Sequence, residues 1–188
     1  MTHMRLFIAL ELDETVKDQL DHISNEVKQF TSKGRFTDRE NLHLTIRFLG
    51  EVKTDSVDEL IKAIDHTANQ VQPFALYLHS IGSFLKKQSH VLWVGVGGQT
   101  DKLVNLHDIM ESELEKIGYQ KEERPFNPHI TLGRQVKLNG TVNDLNSEIT
   151  VSQTPIHVNQ LSLMESTRVE GKLVYRPIHQ IPFRGVNR

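Results

Sequence analysis

The sequence predicts a mixed α and β fold made of two similar βαβαβ lobes. Strand and helix patterns alternate along the 188 residues, and the order strand, helix, strand, helix, strand occurs twice. The second strand of each half carries the same short motif, His-x-Thr, which begins at His43 and at His129. Arg5 precedes His43 by nearly the same number of residues as His90 precedes His129. The chain therefore looks like a duplicated unit.

The first half predicts three strands and two helices. Apolar residues spaced by three and four predict a helix that begins after Asp13. Alternating apolar and polar residues then predict a half-buried strand that ends at Gly50. A second helix opens at Asp55 and stops before Pro73, which has no backbone N–H to donate. The strands of this half are expected at Arg5–Leu10, Leu42–Phe48 and Phe74–Ile81.

The second half predicts four strands and two helices. Thr100 is expected to cap a helix that ends at Gly118, where a left-handed residue suits a helix C-terminus. A short helix is expected over Thr141–Ile149, and a turn through Glu170 and Gly171 is expected to join the last two strands. The strands of this half are expected at His90–Val96, His129–Leu132, Ile156–Glu165 and Leu173–Phe183.

Composition excludes several kinds of protein. The chain has no Cys, which excludes disulfides, thiol catalysis and Cys-based zinc sites. No stretch approaches the roughly 20 apolar residues of a membrane span, and the N-terminal run does not resemble a signal peptide, so a cytoplasmic protein without membrane partners is expected. With 22 basic and 24 acidic residues, the net charge of −2 disfavours a protein that coats long nucleic acid. A pocket for one small anionic group remains compatible with this charge.

The two His-x-Thr strands indicate acid–base chemistry. Residues i and i+2 share a strand face, so His43 lies beside Thr45 and His129 lies beside Thr131. Two such strands facing one cleft would bring two imidazoles and two hydroxyls together. One neutral imidazole can take a proton from water while a protonated one gives a proton to a leaving oxygen. Hydroxyls can donate to phosphate oxygens, so the set suits displacement at phosphorus.

Two strand histidines with a purely structural role are the less favoured alternative. Composition alone gives roughly 0.7 His-x-Thr triplets, and about 0.1 when apolar residues are required at the second and fourth positions. The chain has two, at corresponding places. No His-Glu-x-x-His pattern, nucleophile elbow or phosphate-binding Gly-rich Lys loop is present. We therefore expect neither a metal ion nor a cofactor.

These motifs resemble those of the two-histidine (2H) phosphoesterase superfamily, in particular its branch of RNA 2′,3′-cyclic phosphodiesterases and 2′-5′ RNA ligase-like proteins. The resemblance covers nearly the whole chain. It rests on the segments Arg5–Leu10, Asn41–Gly50 and Pro128–Arg134, and on Met164-Glu165-Ser166 followed by Gly171 and Tyr175. One departure is Glu11, at a place where relatives often carry Pro, and we expect it to lie far from the chemistry.

The resemblance implies a bilobal, pseudo-twofold α+β fold, with antiparallel sheets around a central cleft and the two motifs on adjacent inner strands. It implies one domain over residues 1–188, with lobes of approximately 1–82 and 90–188 that can exchange terminal strands. By the same resemblance His43 is the proton donor and His129 the proton acceptor, and Arg134 holds phosphate beside the two threonines.

The implied activity is metal-independent hydrolysis of RNA ends or nucleotides that carry a 2′,3′-cyclic phosphate, giving 2′-phosphomonoesters. Two alternatives remain, a 2′-5′ RNA ligase and a non-catalytic module that binds RNA ends or nucleotides. A monomer is expected.

Other residues receive structural interpretations. Arg47 shares strand parity with His43 but is expected at the surface or between the lobes, whereas Phe48 and Trp93 are expected in the core. Scattered basic residues are expected in loops, where they are solvated. A position at the edge of the cleft, in contact with an RNA backbone, is the less favoured alternative. These basic residues are Lys33, Arg35, Arg39, Lys86, Lys87, Lys121 and Arg124.

Overall fold

The computed structural model describes residues 2–186, within which two antiparallel sheets and four α-helices are found. The helices are α1 (Glu14–Lys28), α2 (Val57–Ala68), α3 (Thr100–Glu115) and α4 (Val142–Glu148). The strands are β1 (His3–Glu11), β2 (Thr31–Phe36), β3 (His43–Lys53), β4 (Phe74–Lys86), β5 (Ser89–Gly98), β6 (His129–Leu138), β7 (Pro155–Val158), β8 (Gln160–Val169) and β9 (Lys172–Pro182). The predicted α+β class is confirmed.

Each sheet combines strands from both halves of the chain. The four-stranded sheet has the order β3-β1-β8-β9, and the five-stranded sheet has the order β2-β6-β5-β4-β7. In both sheets a motif strand pairs with the first strand of its own half, which in turn pairs with a strand from the other half. The series β3-β1-β8 therefore corresponds to β6-β5-β4.

The helices form where the apolar spacing predicts them. The Asp13 carboxylate caps α1 by accepting a hydrogen bond from the backbone N–H of Val16 at 3.0 Å. Gly118 adopts a positive φ of 101° just beyond α3. Helix and sheet residues join one hydrophobic core, to which α1 contributes Val16, Leu20, Ile23 and Val27. Across residues 2–186, every helix is too short or too polar to span a lipid bilayer.

Several predicted boundaries were wrong. Thr100 is the first residue of α3 rather than its cap, and Gln99 at the cap position uses its side-chain oxygen to accept from the N–H of Ala75. The strand expected over Ile156–Glu165 is interrupted at Asn159. At this residue the chain leaves β7 in the five-stranded sheet and enters β8 in the four-stranded sheet. The single predicted strand is therefore two strands, one in each sheet.

Strand β2 was missed, and Lys33 and Arg35 were wrongly assigned to loops. The segment Thr-Ser-Lys-Gly-Arg-Phe lacks apolar alternation because β2 lies at the edge of the five-stranded sheet, with much of its surface exposed. Its backbone pairs with β6, and the Thr37 N–H donates to the Leu132 carbonyl just after the strand ends. Strand β3 likewise continues beyond its predicted end, through Gly50 with φ 77°, to Lys53.

Candidate active site

A cavity of about 440 Å³ lies where β3 and β6 contact each other. All five residues predicted for the site, His43, Thr45, His129, Thr131 and Arg134, line this cavity. The other lining residues are Arg5, Phe7, Thr37, Phe48, Ser166 and Tyr175. The two motif strands do not pair as neighbours within one sheet, because β3 is the edge strand of the four-stranded sheet and β6 belongs to the other.

The imidazole of His43 is held at both nitrogens. Nδ1 lies 2.7 Å from the carbonyl oxygen of Asn41, and Nε2 lies 2.8 Å from the Thr45 hydroxyl. The ring packs against Phe7 and Tyr175, with centroid separations of 4.8 and 5.2 Å. These contacts fix the plane of the ring in the cavity wall.

The imidazole of His129 has an equivalent environment. Its Nδ1 lies 2.6 Å from the carbonyl oxygen of Asn127, and the ring packs edge-on to Phe84 at 5.0 Å and against Trp93 at 5.9 Å. Trp93 is half-buried beneath His129 rather than a core residue. Gly82 permits this position, because a Cβ at residue 82 would lie 2.2 Å from the indole ring.

Both rings are thereby fixed in one tautomer. A carbonyl oxygen only accepts, so Nδ1 of each ring must carry the proton that it donates to the backbone two residues earlier. In the neutral ring Nε2 is then an acceptor, which suits a base. In the protonated ring Nε2 is a donor, which suits an acid.

The surroundings lower the pKa of both histidines. Burial is the main cause for His43, followed by the charges of Arg134 and His129, while the bond to the Asn41 carbonyl opposes the shift. For His129 the main cause is again burial, with a further contribution from Arg134. Both rings are consequently easier to deprotonate than a free histidine.

A β-bulge in the first motif decides which side chains enter the cavity. The pairing with β1 passes directly from Thr45 to Arg47, and Ile46 has no partner in the register. This extra residue reverses the alternation of the strand. Phe48 therefore shares a face with His43 and is 46% exposed, so the prediction that it belongs to the core is wrong. Arg5 covers the Phe48 ring, with its guanidinium carbon 4.8 Å from the ring centroid.

The second motif has a bulge at the equivalent position. The pairing with β5 passes from Thr131 to Gly133 and leaves out Leu132. Simple alternation would place Arg134 on the face opposite His129, but the bulge turns Arg134 into the cavity. Phe48 and Arg134 each follow a motif histidine by five residues. That shared spacing was a signal from which the position of Phe48 was predictable.

Arg47 is turned away from the cavity by the same bulge. Its guanidinium bonds Glu111 on α3, which agrees with the expectation of a contact between the halves. Two of the basic residues considered for an RNA contact already have carboxylate partners. Arg39 bonds three acidic side chains, and Lys121 lies 3.9 Å from Glu115.

Glu11 is close to the site, against expectation. It is the ladder partner of His43 between β1 and β3. Its carboxylate accepts hydrogen bonds from Ser162 at 2.6 Å and from Gln180. The carboxylate thus ties the end of β1 to β8 and β9 beside the first motif. Sequence order alone hid this, because the partner strand of residue 11 lies 32 or more residues away.

Comparison with known proteins agrees with this architecture. The sequence profile of the 2′-5′ RNA ligase superfamily matches residues 12–170. The RNA 2′,3′-cyclic phosphodiesterase of Thermotoga maritima is 30% identical over 183 residues, covering 97% of each chain. The protein of the same name from Escherichia coli is 30% identical over 181 residues, covering 93% of each chain.

A solved structure gives the same result for the fold. E. coli LigT complexed with 3′-AMP superposes with a TM-score of 0.77 at 27% identity, covering 97% of this chain and 99% of that one. The profile match spans most of the chain, and it includes both histidines of the cavity. This chain therefore belongs to the 2′-5′ RNA ligase superfamily.

Proposed function

We propose that this protein is a hydrolase that opens 2′,3′-cyclic phosphates at the ends of RNA or on nucleotides, giving 2′-phosphomonoesters. One observation carries the proposal: two imidazoles, each fixed by its Nδ1 on a backbone carbonyl, line one cavity together with two hydroxyls and a guanidinium. The names of the similar Thermotoga and E. coli proteins support the same substrate.

In this mechanism water attacks phosphorus in line with the bond to the 3′ oxygen. The neutral Nε2 of His129 takes a proton from the water as the new P–O bond forms. Nε2 of protonated His43, which lies 2.8 Å from the Thr45 hydroxyl, transfers its hydrogen bond from that hydroxyl to the departing 3′ oxygen and gives up its proton as the P–O3′ bond breaks. The 2′ oxygen keeps the phosphate. The fixed tautomers leave only Nε2 of either ring for these transfers.

The remaining polar groups would bind the phosphate. Arg134 can donate two hydrogen bonds to the non-bridging oxygens, and Thr45 and Thr131 can each donate one. Charge on these oxygens must be stabilised in the transition state, so donors already in place lower the barrier. The exposed ring of Phe48 at the cavity offers a surface on which a base can stack.

Hydrolysis of a 2′,3′-cyclic nucleotide and of a cyclic-ended oligonucleotide tests this function. His43→Ala and His129→Ala should each lower kcat by about 10²–10⁴-fold, the usual cost of losing a general acid or base. The double variant should be little worse than either single one, because the two groups act as a unit. Thr45→Ala and Thr131→Ala should cost less, about 10²-fold at most.

The products separate this function from its alternatives. Release of a 2′-phosphomonoester supports hydrolysis, joining to a strand with a 5′-hydroxyl supports a ligase, and binding without turnover supports a non-catalytic module. Wild-type rates in either His→Ala protein, with contaminating nuclease excluded, would show that the two histidines have a structural role.

A further inference from the structure

A row of positively charged side chains runs from the cavity along the outer face of β2 and β6. Lys33 and Arg35 on β2 and Arg134 and Lys137 on β6 are all exposed. Arg35 pairs with Arg134 in the ladder, and Lys33 pairs with Lys137. We call these four residues the basic strip. Because Arg134 also lines the cavity, one end of the strip is continuous with the site.

The local geometry places the four side chains on one face. A Cβ at Gly34 would lie 3.0 Å from the buried side chain of Val136, so residue 34 points inward with Val136. Its neighbours Lys33 and Arg35 must then point outward, and so must Lys137. A bulge at Gln135, with φ 53°, restores the alignment between the two strands.

The charge of the strip is not neutralised by the protein. Within residues 2–186 no carboxylate lies within 4.0 Å of any of the four cationic groups. Neither strand contains an Asp or a Glu. The two paired strands thus carry four Lys or Arg side chains and no carboxylate, in a chain that has 24 acidic residues and a net charge of −2. By contrast, Arg39, three residues beyond β2, is bonded to three carboxylates.

We propose that the basic strip binds the phosphate backbone of the RNA strand whose cyclic end occupies the cavity. The inference rests on the proposed function for the location of that end. It adds a preference for oligonucleotides over mononucleotides, because a mononucleotide has no phosphate that reaches beyond Arg134. The two rungs of the strip lie two residues of β2 apart, about 7 Å, so that successive contacts extend away from the cavity.

Binding of this kind has a measurable signature. Each phosphate neutralised by Lys or Arg releases condensed counterions, so affinity for a single strand falls with salt by about 0.7 in log–log slope per contact. The three residues outside the cavity, Lys33, Arg35 and Lys137, should together contribute a slope of about 2. Raising monovalent salt from about 50 to about 200 mM should then cost roughly 20-fold through these contacts.

The test compares two substrates and two variants. The substrates are 2′,3′-cyclic AMP and a ten-nucleotide RNA that ends in a 2′,3′-cyclic phosphate. The strip variant carries Lys33→Gln, Arg35→Gln and Lys137→Gln. The matched control carries Lys53→Gln, Lys62→Gln and Lys102→Gln, which change the net charge equally at exposed positions outside the cavity and the strip.

The strip variant should keep the wild-type kcat/KM for 2′,3′-cyclic AMP. The strip variant should no longer prefer the oligonucleotide over 2′,3′-cyclic AMP, and its kcat/KM for the oligonucleotide should no longer show the roughly 20-fold decrease between about 50 and about 200 mM salt. The control variant should keep both properties. Equal loss in the two variants, or a strip variant with the wild-type salt slope, would overturn the proposal. If the strip variant also loses mononucleotide hydrolysis, the single variant Lys33→Gln is tested in its place. Its log–log salt slope for the oligonucleotide should be smaller than that of the wild type by about 0.7, and an unchanged slope would overturn the proposal.

Failure of the proposed function gives a different result. Wild-type protein that hydrolyses neither substrate would contradict the activity. The basic strip is then tested by fluorescence anisotropy with a fluorescein-labelled ten-nucleotide RNA that ends in a 2′-phosphate. A smaller salt slope of binding in the strip variant than in the control variant would support the strip, and equal slopes would overturn it.

Discussion

Arg47 donates to the carboxylate of Glu111 at 2.6 Å, which connects the first motif strand to α3. The same guanidinium donates to the carbonyl of Gln120 at 2.9 Å and lies 3.3 Å from the carboxylate of Glu122. Glu111 in turn accepts from the backbone N–H of Glu122. The loop held by these bonds leads to His129. Arg47 and Glu111 therefore connect the segments that carry the two histidines.

Loss of this buried pair should destabilise the fold. The side chains of Arg47 and Glu111 are only 11% and 6% exposed, so Arg47→Met leaves a buried carboxylate without its cation. Removal of one partner of such a pair typically costs about 3–5 kcal/mol. Urea denaturation of Arg47→Met should show this decrease in the free energy of unfolding.

A matched substitution in the same loop should have little effect. Lys121 forms an exposed ion pair with Glu115, and pairs of this kind contribute about 1 kcal/mol or less. Lys121→Met should therefore unfold close to wild type. Similar losses in the two variants would show that Arg47 acts through general charge rather than through its buried contacts.

The pH dependence of kcat/KM should lie on the acid side of that expected for free histidines. Activity rises as pH rises through the pKa of the base His129 and falls as pH rises through the pKa of the acid His43. Burial lowers both pKa values below 6.5, so both limbs of the bell move to lower pH. The two apparent values belong to the coupled pair. Limbs centred above 6.5 in the free enzyme would contradict the described surroundings.

Arg134→Gln should move both limbs to higher pH. The positive charge of Arg134 lowers the pKa of His43 and of His129, and its removal relieves that effect. NMR titration of the histidine rings measures the shift separately from the lower rate that follows from losing a phosphate ligand. Lys102→Gln on α3, outside the cavity lining, should leave both titrations unchanged.

Phe48→Ala should raise KM for a cyclic nucleotide by about tenfold with little change in kcat. Stacking of a base on an aromatic side chain contributes about 1–3 kcal/mol, and the Phe48 ring is exposed at the cavity. Phe48→Tyr should retain the wild-type KM. Leu85→Ala removes another exposed apolar side chain that does not line the cavity, and it should have no effect. A wild-type KM in Phe48→Ala would exclude stacking at this position.

Chelators should leave the hydrolysis of a 2′,3′-cyclic nucleotide essentially unchanged. In the proposed mechanism two imidazoles supply the acid and the base, and Arg134 with two threonine hydroxyls stabilises the charge on phosphate. Rates measured with and without excess EDTA test this directly. Activity that EDTA abolishes and a divalent ion restores would require a different mechanism.

Much of the site was predictable from local sequence. Alternation placed His43 beside Thr45 and His129 beside Thr131, and helix spacing with the Asp13 cap located α1. These features depend on a few neighbouring residues, whose periodicity is set by the geometry of a strand or a helix. The duplication of the motif then indicated that both histidines belong to one site.

Only the tertiary structure decided which other side chains join the two histidines in the cavity. The pairing of β3 with β1 leaves Ile46 without a partner, and the pairing of β6 with β5 leaves Leu132 without one. These unpaired residues are the two bulges. Counting along one strand assumes uninterrupted alternation, so it placed Phe48 in the core and could not place Arg134 in the cavity. The pairing of β2 with β6, which builds the basic strip, is likewise invisible locally. Register is a property of two strands that are distant in the sequence, and it is set when their hydrogen bonds form.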